Sequence, residues 1–177
     1  GGRPGVLLAV SRGRMSGYVA PRWARSAHLQ TLWGPLRRRP QAARTRERIL
    51  LPDGDFLDLD WYDSGDAGAP LVLLVHGLGG SSDSVYIAGL QPALARAGTG
   101  SVALNLRGAT GPNRLARTYH AGHTGDIRHV LALLRARWPQ RPLGAAGFSL
   151  GGSMLLNLLA EDGDAALPQL AAAVSVP

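Results

Sequence analysis

"GAAGFSLGGSMLLNLLA", Gly144 to Ala160, joins two patterns that belong to different secondary structures. "PLGAAGFS" (142–149) reads as a short buried strand, and "MLLNLLAEDG" (154–163) has the spacing of a helix. Between them lies Gly147-Phe148-Ser149-Leu150-Gly151, a G-x-S-x-G sequence. A serine on so sharp a strand-to-helix turn holds a strained backbone. The residues two positions away on either side must then lack bulk. The helix that follows aims its first N–H groups at the turn, which favours a developing negative charge. Ser149 is therefore the candidate nucleophile. The plainer alternative is a glycine-rich turn with an idle serine; the strand-to-helix context favours the nucleophile.

Outward from this turn the chain alternates strand and helix. "LVLLVH" (71–76) is apolar on both faces, the mark of a central parallel strand. "SVYIAGLQPALARAG" (84–98) has helical spacing, with Pro92 as an expected kink or break. "SVALNL" (101–106) is a strand, and residues 107–123 form a long polar loop. Thr124 is the expected N-cap of a helix over 126–138, with Asp126 in its first turn and an apolar stripe of Ile127, Val130, Leu131, Leu134 and Trp138. "LAAAVSVP" (170–177) is a last strand. Repeated strand–helix–strand units imply a parallel sheet with right-handed crossovers. Ahead of them, "ERILLP", "DGD" and "FLDLDWYD" read as a β-hairpin. Its second arm sets Leu57, Leu59 and Trp61 on a buried face against Asp58, Asp60 and Tyr62 on a wet one.

Composition bounds the chemistry. The 177 residues are 45% hydrophobic, as in a globular chain, and contain no cysteine. Disulfides, a cysteine nucleophile and thiolate-held zinc are excluded, and a reducing cytosol fits without being required. All 19 basic residues are arginine, so a Walker A loop, which needs lysine, is excluded too. Eleven of those arginines fall in residues 1–48 against one acid, Glu47. The favoured reading of that segment is a solvated, arginine-biased surface; the alternative is an arm that touches anionic lipid or nucleic acid. No aromatic-interleaved RNA motif or recognition helix accompanies the charge, so nucleic acid is not an expected partner. No apolar run approaches the ~18 residues of a membrane span.

"HGLGGSSDS" (76–84) resembles a dinucleotide loop through Gly77 and Gly79, but Ser82 replaces the third glycine. The next strand ends in "NLRG", without the acid that would hold a ribose. No cofactor is expected. The small residues suit an oxyanion loop instead, with the N–H groups of Leu78 and Leu150 as its donors. His120, His123 and Asp126 are too loosely spaced, and too few, for a metal site, so no metal is expected.

With "HG" after the first parallel strand and "GFSLGG" after the third, the chain resembles the α/β-hydrolase fold. "PRWARSAHLQTLW", "LPDGDFLDLDW", "LVLLVHGLGGSSDSVYI", "NLRGATGPNR" and "YHAGHTGD" narrow the resemblance to the YheT-type branch, related to the abhydrolase-domain lipid hydrolases. It covers about residues 18–177. It implies a mostly parallel sheet with an N-terminal hairpin, truncated after the strand that follows the nucleophile helix. It also implies a carboxylesterase or monoacylglycerol lipase, in which serine attacks an ester, histidine takes the proton and an acid orients the histidine.

In that fold the order is serine, acid, histidine. Here His28, His76, His120, His123 and His129 all precede Ser149, and only Glu161, Asp162 and Asp164 follow it. The three acids sit at a helix end and are expected to be solvated. The chain is therefore expected to be an N-terminal piece, inactive alone, lacking the acid and the histidine. Its expected parts are a disordered extension at 1–14 ahead of a start at Met15, an arginine-rich arm at 15–47, and the hydrolase domain at 48–177. Expected partners are a small-molecule or lipid ester and, through the arm, a peripheral membrane contact in a cytoplasmic protein. An acyltransferase on the same scaffold and a non-catalytic lipid- or protein-binding domain are the alternatives.

Overall fold

The computed structural model describes residues 44–163 and 170–177. The expected extension at 1–14, most of the arginine-rich arm, His28 and Asp164 lie outside them. Six strands form one sheet: β1 (Thr45–Leu50), β2 (Phe56–Tyr62), β3 (Leu71–Val75), β4 (Gly100–Asn105), β5 (Leu143–Phe148) and β6 (Ala172–Val176). They are ordered β1-β2-β4-β3-β5-β6. Strands β1, β2 and β4 pair antiparallel, whereas β4, β3, β5 and β6 are parallel. Three helices connect them: α1 (Val85–Arg96), α2 (Gly125–Arg137) and α3 (Leu150–Asp162).

Strand β3 lies at the centre because it is apolar on both faces. Leu71, Leu73 and Val75 join one core with Ile127, Val130, Leu131 and Leu134 of α2 and Met154, Leu155 and Leu158 of α3. Leu74 joins a second core with Ile87 of α1 and Ala103. Alternate residues of one strand thus serve opposite faces of the sheet. Helix α1 covers one face, and α2 and α3 the other. The chain leaves β3 toward β4 on one side and leaves β5 toward β6 on the other. The carboxyl ends of β3 and β5 therefore flank a topological switch point, where open α/β sheets form a crevice.

Several expectations are corrected. Asp58 and Asp60 do not face water: they are 1% and 2% exposed. The second face of β2 is covered, and each carboxylate is satisfied there. Asp58 binds Arg48 (2.7 and 2.9 Å) and Thr110 (2.7 Å). Asp60 binds Arg46 (2.7 Å twice), Ser82 (2.5 Å) and Asn105 (3.0 Å). Strand β1 begins at Thr45, inside the segment read as an arm, and Arg44, Arg46 and Arg48 are ion-paired with Asp83, Asp60 and Asp58. These three arginines belong to the domain, which shrinks the charge left for a membrane contact. Helix α1 runs through Pro92 without a break. Thr124 stands at the N-cap position as expected, its carbonyl accepting from Arg128 N–H at 3.0 Å, but its side chain makes no cap bond; the hydroxyl donates to Glu161 at 2.6 Å. Glu161 and Asp162 are not simply solvated, because Arg128 of α2 binds both, at 2.9 and 2.7 Å.

Candidate active site

The turn after β5 is the strained element that the sequence predicts. Ser149 has φ 51° and ψ −117°, and among the described residues it is the one non-glycine residue with positive φ. Such a conformation costs about 1–3 kcal/mol and persists only where the surroundings impose it. Two glycines permit it. A Cβ on Gly147 would collide with the Gly151 carbonyl, and a Cβ on Gly151 would lie 2.5 Å from the His76 carbonyl oxygen and 2.6 Å from that of Val75. Side chains at either position would push the helix off the sheet. Helix α3 starts at Leu150, and its first intrahelical bond is Ser153 N–H to Ser149 O at 3.0 Å. The N–H of Leu150 thus lies within the first turn, where helix geometry supplies no acceptor. Ser149 is exposed, and its own N–H donates to Val176 O at 2.7 Å.

The loop after β3 lies against this turn: a Cβ on Gly77 would be 3.2 Å from Ser149 Cβ. The structure thus brings together Ser149, the loop bearing Leu78, and Leu150. The loop is tied at both ends. The buried His76 accepts the Leu106 N–H at Nε2 (3.1 Å), which leaves Nδ1 to carry the proton and donate to Gly77 O (2.7 Å). Burial lowers its pKa below the usual histidine value, outweighing the bond to Gly77. With its one free lone pair already engaged, His76 is an anchor and not a base. At the far end Ser82 donates to Asp60 and its N–H to Asn105 Oδ1 (2.9 Å).

Arg107 fixes the long loop that follows β4. It is 3% exposed and binds three carboxylates: Asp126 through two bonds (2.7 and 2.8 Å), Asp53 (2.8 Å) and Asp55 (3.1 Å). These hydrogen bonds, Asp126 foremost, raise its pKa against the opposing effect of burial. The hairpin turn, the start of α2 and the loop are thereby one ionic unit. Sequence reading missed this unit, because its members are up to 73 residues apart from Asp53 to Asp126.

Among the described residues, none of the remaining candidates hydrogen-bonds Ser149. His120 and His123 stand ring to ring at 5.8 Å in the long loop, with His123 Nε2 3.5 Å from Asp126. Among the described residues no group of three or more His, Asp or Glu is placed to hold a metal ion. No side chain among them hydrogen-bonds Ser149 Oγ. No helix among them is long and apolar enough to cross a membrane.

A doubly covered, mostly parallel sheet, a strained serine at its switch point and a small-residue loop beside it define an α/β-hydrolase fold. The comparison with known proteins agrees: residues 70–175 match the family described as alpha/beta hydrolase fold, and the chain belongs to that family. It is 38% identical over 164 residues to the "Putative esterase YheT" of Escherichia coli, covering 90% of this chain and 48% of that protein. It is 33% identical over 168 residues to "Phospholipase ABHD3" of Homo sapiens, covering 90% and 41%. These similarities agree with the YheT-type branch. The chain spans less than half the length of both relatives. Among solved structures, the Pyrococcus furiosus esterase Pf2001 superposes with a TM-score of 0.60 at 21% identity, covering 73% of this chain and 49% of the other, a likeness of fold.

Proposed function

We propose that this chain carries the nucleophile and oxyanion loop of a serine hydrolase acting on carboxylic esters, including lipid esters. The carrying observation is Ser149 itself, a serine held at φ 51° where a glycine loop and a helix start converge. In the proposed reaction Ser149 Oγ attacks the ester carbonyl as its proton passes to a base. The carbonyl oxygen gains charge, and the N–H groups of Leu78 and Leu150 donate to it. Collapse of this intermediate expels the alcohol, which takes the proton, and leaves an acyl-serine. Water then repeats the sequence and releases the acid. The base and its orienting acid are proposed to come from the part of the relatives' length that this chain does not span. His76 is engaged by Leu106 and Gly77, and Glu161 and Asp162 by Arg128. The relatives named as an esterase and a phospholipase support an ester of lipid type.

Ser149→Ala in the protein with its complete triad should abolish fluorophosphonate labelling and lower kcat on p-nitrophenyl esters by on the order of 10⁶. The 177-residue chain alone should be no more active than that variant. Labelling that survives Ser149→Ala would move the nucleophile elsewhere. Ser149-dependent turnover by the short chain would place the base among its own residues. Acyl transfer to an added alcohol in place of water would redirect the second step toward an acyltransferase.

A further inference from the structure

Four consecutive N–H groups leave the end of β3, at Gly77, Leu78, Gly79 and Gly80. Three of them are paired. Gly77 N–H donates to the Tyr86 hydroxyl (3.1 Å), Gly79 N–H to the Tyr119 hydroxyl (3.0 Å), and Gly80 N–H to Gly77 O (3.1 Å). Leu78 N–H, between the two tyrosine-bound groups, has no partner among the described residues.

The Gly80 N–H to Gly77 O turn and the His76 bond to the same oxygen hold part of this loop. Glycine explores both signs of φ, and Gly79 stands at φ 65°. The peptide planes on either side of Leu78 are therefore the ones that further partners must orient. The two hydroxyls come from separate elements, Tyr86 from α1 and Tyr119 from the end of the polar loop. Each ring also makes a contact independent of its hydroxyl. Tyr86, 42% exposed, lies tilted against Phe148, the residue before Ser149, at 4.7 Å between centroids. Tyr119 stands edge-on to the buried His76 at 6.1 Å. Each hydroxyl is thus carried by a ring that packs on part of the site, Tyr86 on the serine turn and Tyr119 on His76.

We infer that Tyr86 and Tyr119 are positioning residues of the oxyanion loop: by accepting the N–H groups of Gly77 and Gly79 they hold the peptide planes so that Leu78 N–H is the loop's free donor. The inference rests on the proposed role of Ser149 and Leu78. It adds two hydroxyls that act on the reaction through the backbone.

Tyr86→Phe and Tyr119→Phe keep both rings and delete one oxygen each. In the protein with its complete triad, each should lower kcat about tenfold, well short of the 10²–10³ that loss of an oxyanion donor itself costs. KM should stay within about twofold, since the ground-state carbonyl makes little use of the donor. Affinity for an arylboronic acid, which mimics the tetrahedral adduct, should fall with kcat, and thermal midpoints should show whether each variant is folded. Native-state hydrogen exchange on the unaltered protein supplies a test without variants: Gly77 and Gly79 amides should exchange slowly and Leu78 rapidly. Wild-type kcat and boronate affinity in both folded Phe variants, or equal exchange at the three amides, would overturn the inference. Ser149→Ala, assayed alongside, separates the two readings. Residual activity there removes the Ser149 assignment, whereas an inert Ser149→Ala beside fully active Phe variants removes only the role of the tyrosines.

Discussion

The two edges of the sheet are built on opposite principles. At one edge, β1 places Arg46 and Arg48 directly opposite Asp60 and Asp58 of β2, and each pair closes through two hydrogen bonds. Glu47 turns the other way, to Trp61 and Arg137. At the opposite edge, β6 carries "AAVSV", has no charge and is exposed at every residue. Beside it an apolar groove opens on the face that α1 leaves uncovered, lined by Leu74, Leu90, Leu94, Phe148, Val174 and Val176. Charged cross-strand pairs stabilise a strand and also make its outer edge a poor template for another chain. An uncharged β-prone strand has neither property. Among the described residues neither edge has a further strand paired to it, but the β1 edge carries ion-paired charges and the β6 edge presents apolar surface.

Three perturbations test this contrast, in falling order of effect. The largest is Arg107→Met, behind the charged edge. It removes the cation bound to three carboxylates; Asp53 keeps Arg117, but the buried Asp55 and Asp126 lose their arginine, and breaking a buried pair typically costs about 3–5 kcal/mol. Urea unfolding of the variant should show the loss; a change below about 1 kcal/mol would mean that the network is ornamental to stability.

Acid should produce the next largest effect. Bonding to Arg48 lowers the Asp58 pKa against the cost of burial. For Asp60 the burial cost is the largest single influence, yet the bonds to Arg46, Ser82 and Asn105 together outweigh it, and its pKa is also lowered. Carboxylates depressed in the folded state contribute stability above their unfolded value, about 3.9, and lose it as pH falls through the folded value. His76, buried and neutral, acts in the same direction from a higher pH. Its folded pKa is lowered, so its contribution is complete above about 6.5 and declines on acidification below that. Denaturation midpoints should therefore be level above neutrality, decline gently below about pH 6.5 and fall steeply below about pH 4. A profile flat to pH 3 would show that the carboxylates at the charged edge are not depressed.

The smallest change in stability is expected at the other edge. Val174→Lys places a charge on an exposed residue and should alter folding stability by no more than about 0.5 kcal/mol. It should nonetheless reduce self-association of the 177-residue chain, measured by sedimentation or light scattering. Association that is indifferent to the charge would mean that β6 is not the adhesive surface.

Sequence reading serves these regions unequally. The serine turn and β3 are legible because each depends on neighbours in the chain: small residues around one position, apolar residues on both faces of another. The charged edge is misread for a physical reason. Alternation along β2 reports two different faces but not whether the second is covered. Asp58 and Asp60 therefore read as wet, although Arg46, Arg48, Ser82, Asn105 and Thr110 close over them. The same blindness to distant partners hides Arg107, and at the N-cap Thr124 it hides that the hydroxyl is held by Glu161 and not by the helix start. Tyr86 and Tyr119 leave no local signal at all, since their hydroxyls meet loop residues 9 and 40 positions away.

The backbone of Ser149 also bears on how such a position is kept. Its φ of 51° with ψ of −117° suits glycine far better than any residue with a Cβ. Glycine there would relieve the strain and leave the surrounding packing intact. Under the role proposed for Ser149, folding and chemistry pull on this one position in opposite directions. A screen that rewards heat resistance alone would drift toward glycine, and the proposed nucleophile would be kept by selection for turnover.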